Sequence, residues 1–447
     1  MKVDVLYFIE HIARELDIAC AIKALLEKDR DIAVVIKSIA HDLEATVSQY
    51  DPRVVILPYC NGVINRPPEK MIPDWPRARY LSLTFEQVLG KAQLDYVREK
   101  DEFTRKHLFY SVWGDFYRQF LEKTGVQGEN IRVNGSPTLN LYRNPYRDYY
   151  PQGKADLAKM YDLDASKRWI FVPGNYGWAF FHDKLVRDRV RRGFNPEHAY
   201  QYREFSRASL EQTAAWWASP DLAAVELIVR PRPATPEKDF REMLASFGIT
   251  ILPHMRIIKD GTVREWIMAS DIVMSSFSTT LIEAAVAHKP IYMLTPVPLP
   301  DFIFTDWYDH VGKIESLESF KGVCTAPNLE PNWTRLEDWV ESTLFSGSDA
   351  IRNISTTILE LLDGTISLEP PVEIARDLKR PGVQSYYRKL RKRAWKAYQA
   401  LVNLFGVQTP EQKRQAHEQD HLSPDVINQN VNRWKDILGN SKNHSKS

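Results

Sequence analysis

The sequence predicts an α/β protein of two tandem Rossmann-like domains, each built on a doubly wound parallel sheet, with a C-terminal basic helical extension. Three observations lead there. The chain has 447 residues, more than one ordinary core organises, so two domains are expected. Short apolar runs alternate with helical stretches in both halves, the order that produces parallel sheets. Residues 271–287 then read as a strand that ends in a hydroxyl-rich turn and opens directly into a helix.

In the first half, residues 3–9 form an apolar run suited to a buried strand. Residues 13–27 follow as a helix, with Leu16, Ala19, Leu25 and Leu26 at helical spacing. Residues 32–36 read as a strand, 41–50 as a helix and 54–57 as a third strand. Short strands are expected at 81–83 and 111–113, a helix at 115–124 and a strand at 131–134. Residues 144–153 are rich in Pro, Tyr and Arg, lack periodicity, and read as the interdomain connection. The second half repeats the logic with strands at 169–172, 225–229, 250–252, 272–274 and 291–294. Helices at 196–218, 236–247, 263–269 and 280–287 separate them, and 350–362 reads as a closing helix. Domains are therefore expected at 1–150 and 151–366, with an extension over 367–447.

Within that extension, residues 385–405 set Arg388, Lys389, Arg391, Lys392, Arg393 and Lys396 beside Tyr387, Leu390, Ala394, Tyr398, Leu401 and Phe405. The apolar set recurs every three or four residues, which makes a basic amphipathic helix. Such a helix suits an anionic inner-membrane surface, or equally a seat on the protein body with its basic face in water. From about residue 408 the chain is polar and reads as a disordered tail.

Composition narrows the function classes. A hydrophobic fraction of 44% and a charged fraction of 26% are those of a globular protein. The formal net charge of +1 argues against bulk capture of nucleic acid. No apolar run approaches the roughly 20 residues of a membrane span, and no signal-peptide core is evident at the N-terminus. Cys20, Cys60 and Cys324 are far apart, show no metal-ligand spacing, and point to a reducing, cytoplasmic setting.

Candidate site residues sit where each predicted strand ends, the place where α/β sheets carry ligands. Glu10 and His11 follow the first strand, and either could accept a proton from a hydroxyl; both also fit as plain polar residues at a helix start. Glu86 follows another short strand, with the same two readings. In the second half, Asn175, Tyr176 and Gly177 follow the strand at 169–172; glycine lets backbone approach a ligand closely, and Tyr176 and Trp178 could stack on a base or sugar. Arg230 and Arg232 flank Pro231 at a strand end and are suited to a diphosphate or carboxylate, which guanidinium grips bidentately. His254 follows the strand at 250–252. Ser275, Ser276, Ser278, Thr279 and Thr280 crowd the next strand end, with Ser278 placed as N-cap and helix N–H groups available to an anion. Glu283, in the first turn of that helix, can accept both hydroxyls of a ribose.

The Ser275-Ser-Phe-Ser-Thr-Thr-Leu-Ile-Glu283 turn, late in the second of two α/β domains, resembles that of GT-B glycosyltransferases. Glu10-His11 with Arg14-Glu-Leu-Asp17, Phe85-Glu-Gln87, Gly135-Ser-Pro137 and Asn175-Tyr-Gly-Trp178 resemble segments of bacterial surface carbohydrate proteins of capsule and lipopolysaccharide clusters. The resemblance covers roughly residues 1–365. It implies a nucleotide-sugar donor on the C-terminal domain, a glycan or lipid-linked acceptor on the N-terminal one, and no bound metal or other cofactor. It also leaves three alternatives: a sugar-nucleotide epimerase, a glycerophosphotransferase, or a non-catalytic scaffold recruited to the membrane. Sialyltransferase-like members carry His-Pro where this chain has Arg230-Pro231, so a CMP-linked sugar and a nucleoside-diphosphate sugar both remain open as donor.

Overall fold

A computed structural model describes residues 1–30, 32–91, 94, 101–150, 153–191, 193–345, 349–380 and 422–444. The predicted basic helix at 385–405 lies outside the described residues. Among the described residues, no helix is long and apolar enough to cross a membrane.

Six strands form the first sheet: β1 (Lys2–Ile9), β2 (Val34–Ser38), β3 (Asp51–Leu57), β4 (Arg79–Ser82), β5 (Leu108–Val112) and β6 (Ile131–Val133). Their spatial order is β2-β1-β3-β4-β5-β6, and every pairing is parallel. Six more form the second: β7 (Arg168–Pro173), β8 (Val225–Arg230), β9 (Met255–Ile257), β10 (Ile272–Ser275), β11 (Ile291–Leu294) and β12 (Lys313–Ile314). Their order is β12-β11-β10-β7-β8-β9, again all parallel. Val5 to Phe8, Ile170 to Val172 and Ile272 to Met274 have no exposed surface, as expected of strands covered by helices on both faces.

The two orders fix where a ligand can sit. In a doubly wound sheet the chain reverses direction of growth at one place, and the loops there part to leave a crevice at the carboxyl ends of the strands. In the first sheet that place lies between β1 and β3; in the second it lies between β7 and β10.

Three expectations need correcting. The strand expected at 250–252 is absent; β9 begins at Met255 instead. Pro253 has no N–H to give to a ladder, and a turn closed from Met255 N to the Leu252 carbonyl intervenes before pairing starts. His254 therefore precedes its strand, at the end away from the crevice. Second, the helix expected to close the second domain, Ala350–Asp363, packs its Ile351, Ile354, Ile358 and Leu361 into the first core. Arg53 and Arg79 donate to the Leu362 and Leu361 carbonyls at its end, and Gly364 terminates it in the left-handed conformation. Third, the polar tail contains a helix, Pro424–His444. Its Val431, Trp434 and Leu438 are buried against the helix Ile12–Arg30, and Trp434 stacks on Tyr149 at 4.1 Å. Only a few apolar residues in a polar stretch carry that contact, which is why composition masks it.

Candidate functional site

One cleft spans both crevices. It has a volume of about 680 Å³, within the roughly 300–1,000 Å³ of small-molecule sites. Its walls come from segments after β1, β4, β5 and β6 on one side and after β7, β8, β9, β10 and β11 on the other.

On the second-domain wall, Asn175 follows β7 and donates from Nδ2 to the Phe277 carbonyl at 3.3 Å, joining the two loops at the β7–β10 crevice. Gly177 makes room for Arg232: a Cβ there would stand 2.7 Å from an Arg232 guanidinium nitrogen. Arg232 and Arg189 both line the cleft, and among the described residues neither pairs with a carboxylate. Arg189 lies over the Phe181 ring, 5.6 Å from its centroid. Trp178 stacks on Tyr202 at 4.9 Å and 18°, with Phe181 and Phe194 at 4.8 and 5.1 Å. These four rings form an aromatic corner of the cleft.

The hydroxyl-rich turn divides into an inner and an outer part. Ser275 and Ser276 are buried off the cleft lining, and Ser275 Oγ donates to the Pro173 carbonyl. Ser278, Thr279 and Thr280 face the cleft. Ser278 Oγ accepts the Thr280 N–H at 3.3 Å, a capping bond, although the helix Thr280–Val286 has Thr279 at its formal N-cap. That helix has only seven residues, so its dipole is modest, and the N–H groups of Thr280 to Glu283 are already paired with Ser278 and Thr279.

Three further candidates lie off the cleft or are already committed. Tyr176 is buried, its hydroxyl 3.3 Å from Thr213. His254 is buried and bonds the Trp217 carbonyl at 2.9 Å. Arg230 lines the cleft, but its two terminal nitrogens donate to the Asp260 and Gly261 carbonyls at 2.6 and 2.7 Å. Burial lowers its pKa to about 10. It braces a loop; Arg232 is the arginine that remains available.

On the first-domain wall, His11, Arg14 and Glu86 face the cleft. Arg14 holds three carboxylates: Glu15 at 2.7 Å, Glu86 at 2.9 Å and Glu10 at 3.4 Å. Burial disfavours the Arg14 charge, yet Glu15, Glu86 and Glu10 outweigh it and hold its pKa above the ordinary value. Glu15 is fully buried, and burial raises its pKa against the pull of Arg14. His11 Nε2 stands 3.8 Å from Glu10. Gln87 is buried and ties β4 to β5, donating to the Leu83 and Ser111 carbonyls and accepting from Trp113 N at 2.8 Å.

Glu283 lines the seam between the domains. Its carboxylate accepts from the Tyr142 hydroxyl at 2.8 Å, and burial raises its pKa while Arg264 and Tyr142 oppose that shift. Sequence reading did not single out Arg264, Tyr142, Tyr202 or Arg189. A lone Arg or Tyr on a helix carries no local signal of where its tip ends.

The two parallel six-stranded sheets, with a cleft between their carboxyl edges, make a GT-B fold. The fold is similar to that of the wall teichoic acid polymerase TagF, with a TM-score of 0.51 and 8% identity over 81% of this chain and 90% of that one. Looser likenesses are to Anabaena HepE in complex with UDP-glucose (TM-score 0.43, 11% identity, 81% of this chain and 100% of that one) and to S. aureus MnaA with UDP (0.46, 10%, 82% and 98%). At such identities the likeness speaks for the fold alone. No protein-family model and no curated protein matches the sequence.

Proposed function

We propose that the chain is a metal-independent glycosyltransferase that moves a sugar from a nucleotide-linked donor to a growing surface polysaccharide or lipid-linked glycan. The observation that carries this reading is the asymmetry of the cleft. One wall offers guanidinium groups and hydroxyls without carboxylate partners among the described residues, and the other offers a histidine and the Glu86 carboxylate.

The donor phosphates lie against Ser278, Thr279, Thr280 and Arg232, where positive charge and hydroxyl donors stabilise the departing diphosphate or monophosphate. The free oxygen of Glu283 takes ribose hydroxyls, and the corner of Trp178 and Tyr202 takes a planar or sugar ring. His11, Glu86 or Glu10 accepts the proton of the attacking hydroxyl. The new bond forms between that oxygen and the anomeric carbon; the bond from that carbon to the phosphate oxygen breaks.

A second reading, transfer of glycerol phosphate through the same cleft, is favoured by the fold shared with TagF, whose name describes a teichoic acid polymerase. Titration calorimetry with CMP, CDP, UDP and GDP tests both. Binding of UDP or GDP supports sugar transfer, and exclusive binding of CDP moves the balance to glycerol phosphate. Absence of binding by all four ends both readings.

A further inference from the structure

Resting on the reading above, we propose that Arg264 is a positioning residue that couples occupancy of the donor wall to the placement of His11 and Arg14 on the opposite wall. Arg264 belongs to the second domain, in the helix Val263–Ala269, and is 2% exposed. Its terminal nitrogens donate across the seam to the carbonyls of Ala13 and Arg14, at 3.3 and 3.0 Å. Its guanidinium also lies 3.8 Å from Asp17, which receives the Tyr150 hydroxyl at 2.6 Å. All three partners sit in the first two turns of the helix Ile12–Arg30, whose start carries His11 and Arg14 into the cleft.

The other end of the arrangement reaches the donor wall by two routes. Arg264 acts electrostatically on Glu283, the residue assigned to the ribose. Separately, Arg230 holds the Asp260 and Gly261 carbonyls, just ahead of Thr262. Thr262 and Glu265 form a reciprocal capping box, with Thr262 N donating to Glu265 at 2.7 Å, and this sets where the helix starts. Arg264 is therefore fixed from the loop next to Arg232. A buried arginine held this tightly cannot follow one wall without moving the other, because its donors are directional. Lysine in its place has one nitrogen and cannot serve both carbonyls in the same geometry.

Amide hydrogen exchange of residues 14–18, with and without nucleotide, tests the coupling. The probe is whichever of UDP, CDP, GDP or CMP binds best by calorimetry, used at saturation for each variant. In the unaltered chain, nucleotide should slow exchange there about tenfold, within the range of coupling between distinct sites. In Arg264→Lys the slowing should fall below about twofold. Asp17→Asn attacks the same contact from the first domain and should give the same loss; it decides the matter if Arg264→Lys does not fold. A purely structural Arg264 would raise exchange equally with and without nucleotide, leaving the ratio intact, and that result overturns the proposal. Nucleotide binding without slowing in the unaltered chain overturns this inference alone. No nucleotide binding at all overturns the proposed function and this inference together.

Discussion

The two walls of the cleft carry similar residue types and use them in opposite ways. On the first-domain wall the charges pair with one another: one guanidinium, Arg14, holds Glu10, Glu15 and Glu86. On the second-domain wall Arg189 and Arg232 face the cleft without a carboxylate partner among the described residues, while Arg230 is consumed by backbone carbonyls. A closed network fixes geometry and suits residues that must hold an acceptor hydroxyl in place. Open cations keep their binding capacity for a ligand. The contrast separates an architectural arginine from a ligand-competent one, which residue type cannot do.

Four experiments can break or sharpen that contrast. The largest effect is expected from Arg14→Ala, which strands the buried Glu15 carboxylate. Removing one partner of a buried pair costs about 3–5 kcal/mol, read as a fall in urea-denaturation stability. A loss below about 1 kcal/mol would mean the network is not closed. Next comes the Arg230 and Arg232 pair. Arg232→Ala should weaken nucleotide binding by about 1.5–3 kcal/mol and leave the melting temperature unchanged. Arg230→Met should lower the melting temperature, because the loop at 260–261 loses two side-chain hydrogen bonds of about 0.5–1.5 kcal/mol each. If the two variants exchange phenotypes, the assignment of roles is reversed.

A third test uses pH. Burial raises the pKa of Glu15, Asp17 and Glu283, so the folded state binds more protons than the unfolded one just above the ordinary carboxylate range. Their contribution is therefore most favourable below the unfolded values and is lost as pH rises through the raised folded ones. Glu283→Gln should flatten that part of the slope in melts taken between about pH 4 and 8. An unchanged slope would show that Glu283 is solvated in the free protein. Only a small change in stability is expected from Glu86→Gln. Its side chain is 77% exposed, and such pairs contribute about 0–1 kcal/mol. Any larger effect should appear in transfer rate, and a fully retained rate would remove Glu86 from the candidate bases.

How much could be read in advance depends on the range of the interaction. Buried parallel strands are continuous apolar runs, so ten of the twelve strands were legible, with β9 misplaced and β12, only two residues long, missed. The position of β9 turned on one missing N–H, at Pro253, and that shift alone carries His254 away from the cleft. Gly177 was legible as a close-approach glycine, though the group that approaches is Arg232. Arg230 and Arg232 look alike in sequence because both follow the same strand; the loop at 260–261 decides between them.

By itself, then, the sequence determined the fold class, the two sheets and the neighbourhood of the cleft. These follow from periodicity and from strand ends, which are properties of a few adjacent residues. Tertiary structure decided which polar groups face that cleft. Tyr142 meets Glu283, and Arg264 meets Ala13, Arg14 and Asp17, across separations of 141 to 251 residues. It also decided that the helices at 350–363 and 424–444 return to the first core. A side chain's partner depends on where two distant backbones cross, and no local pattern encodes that crossing.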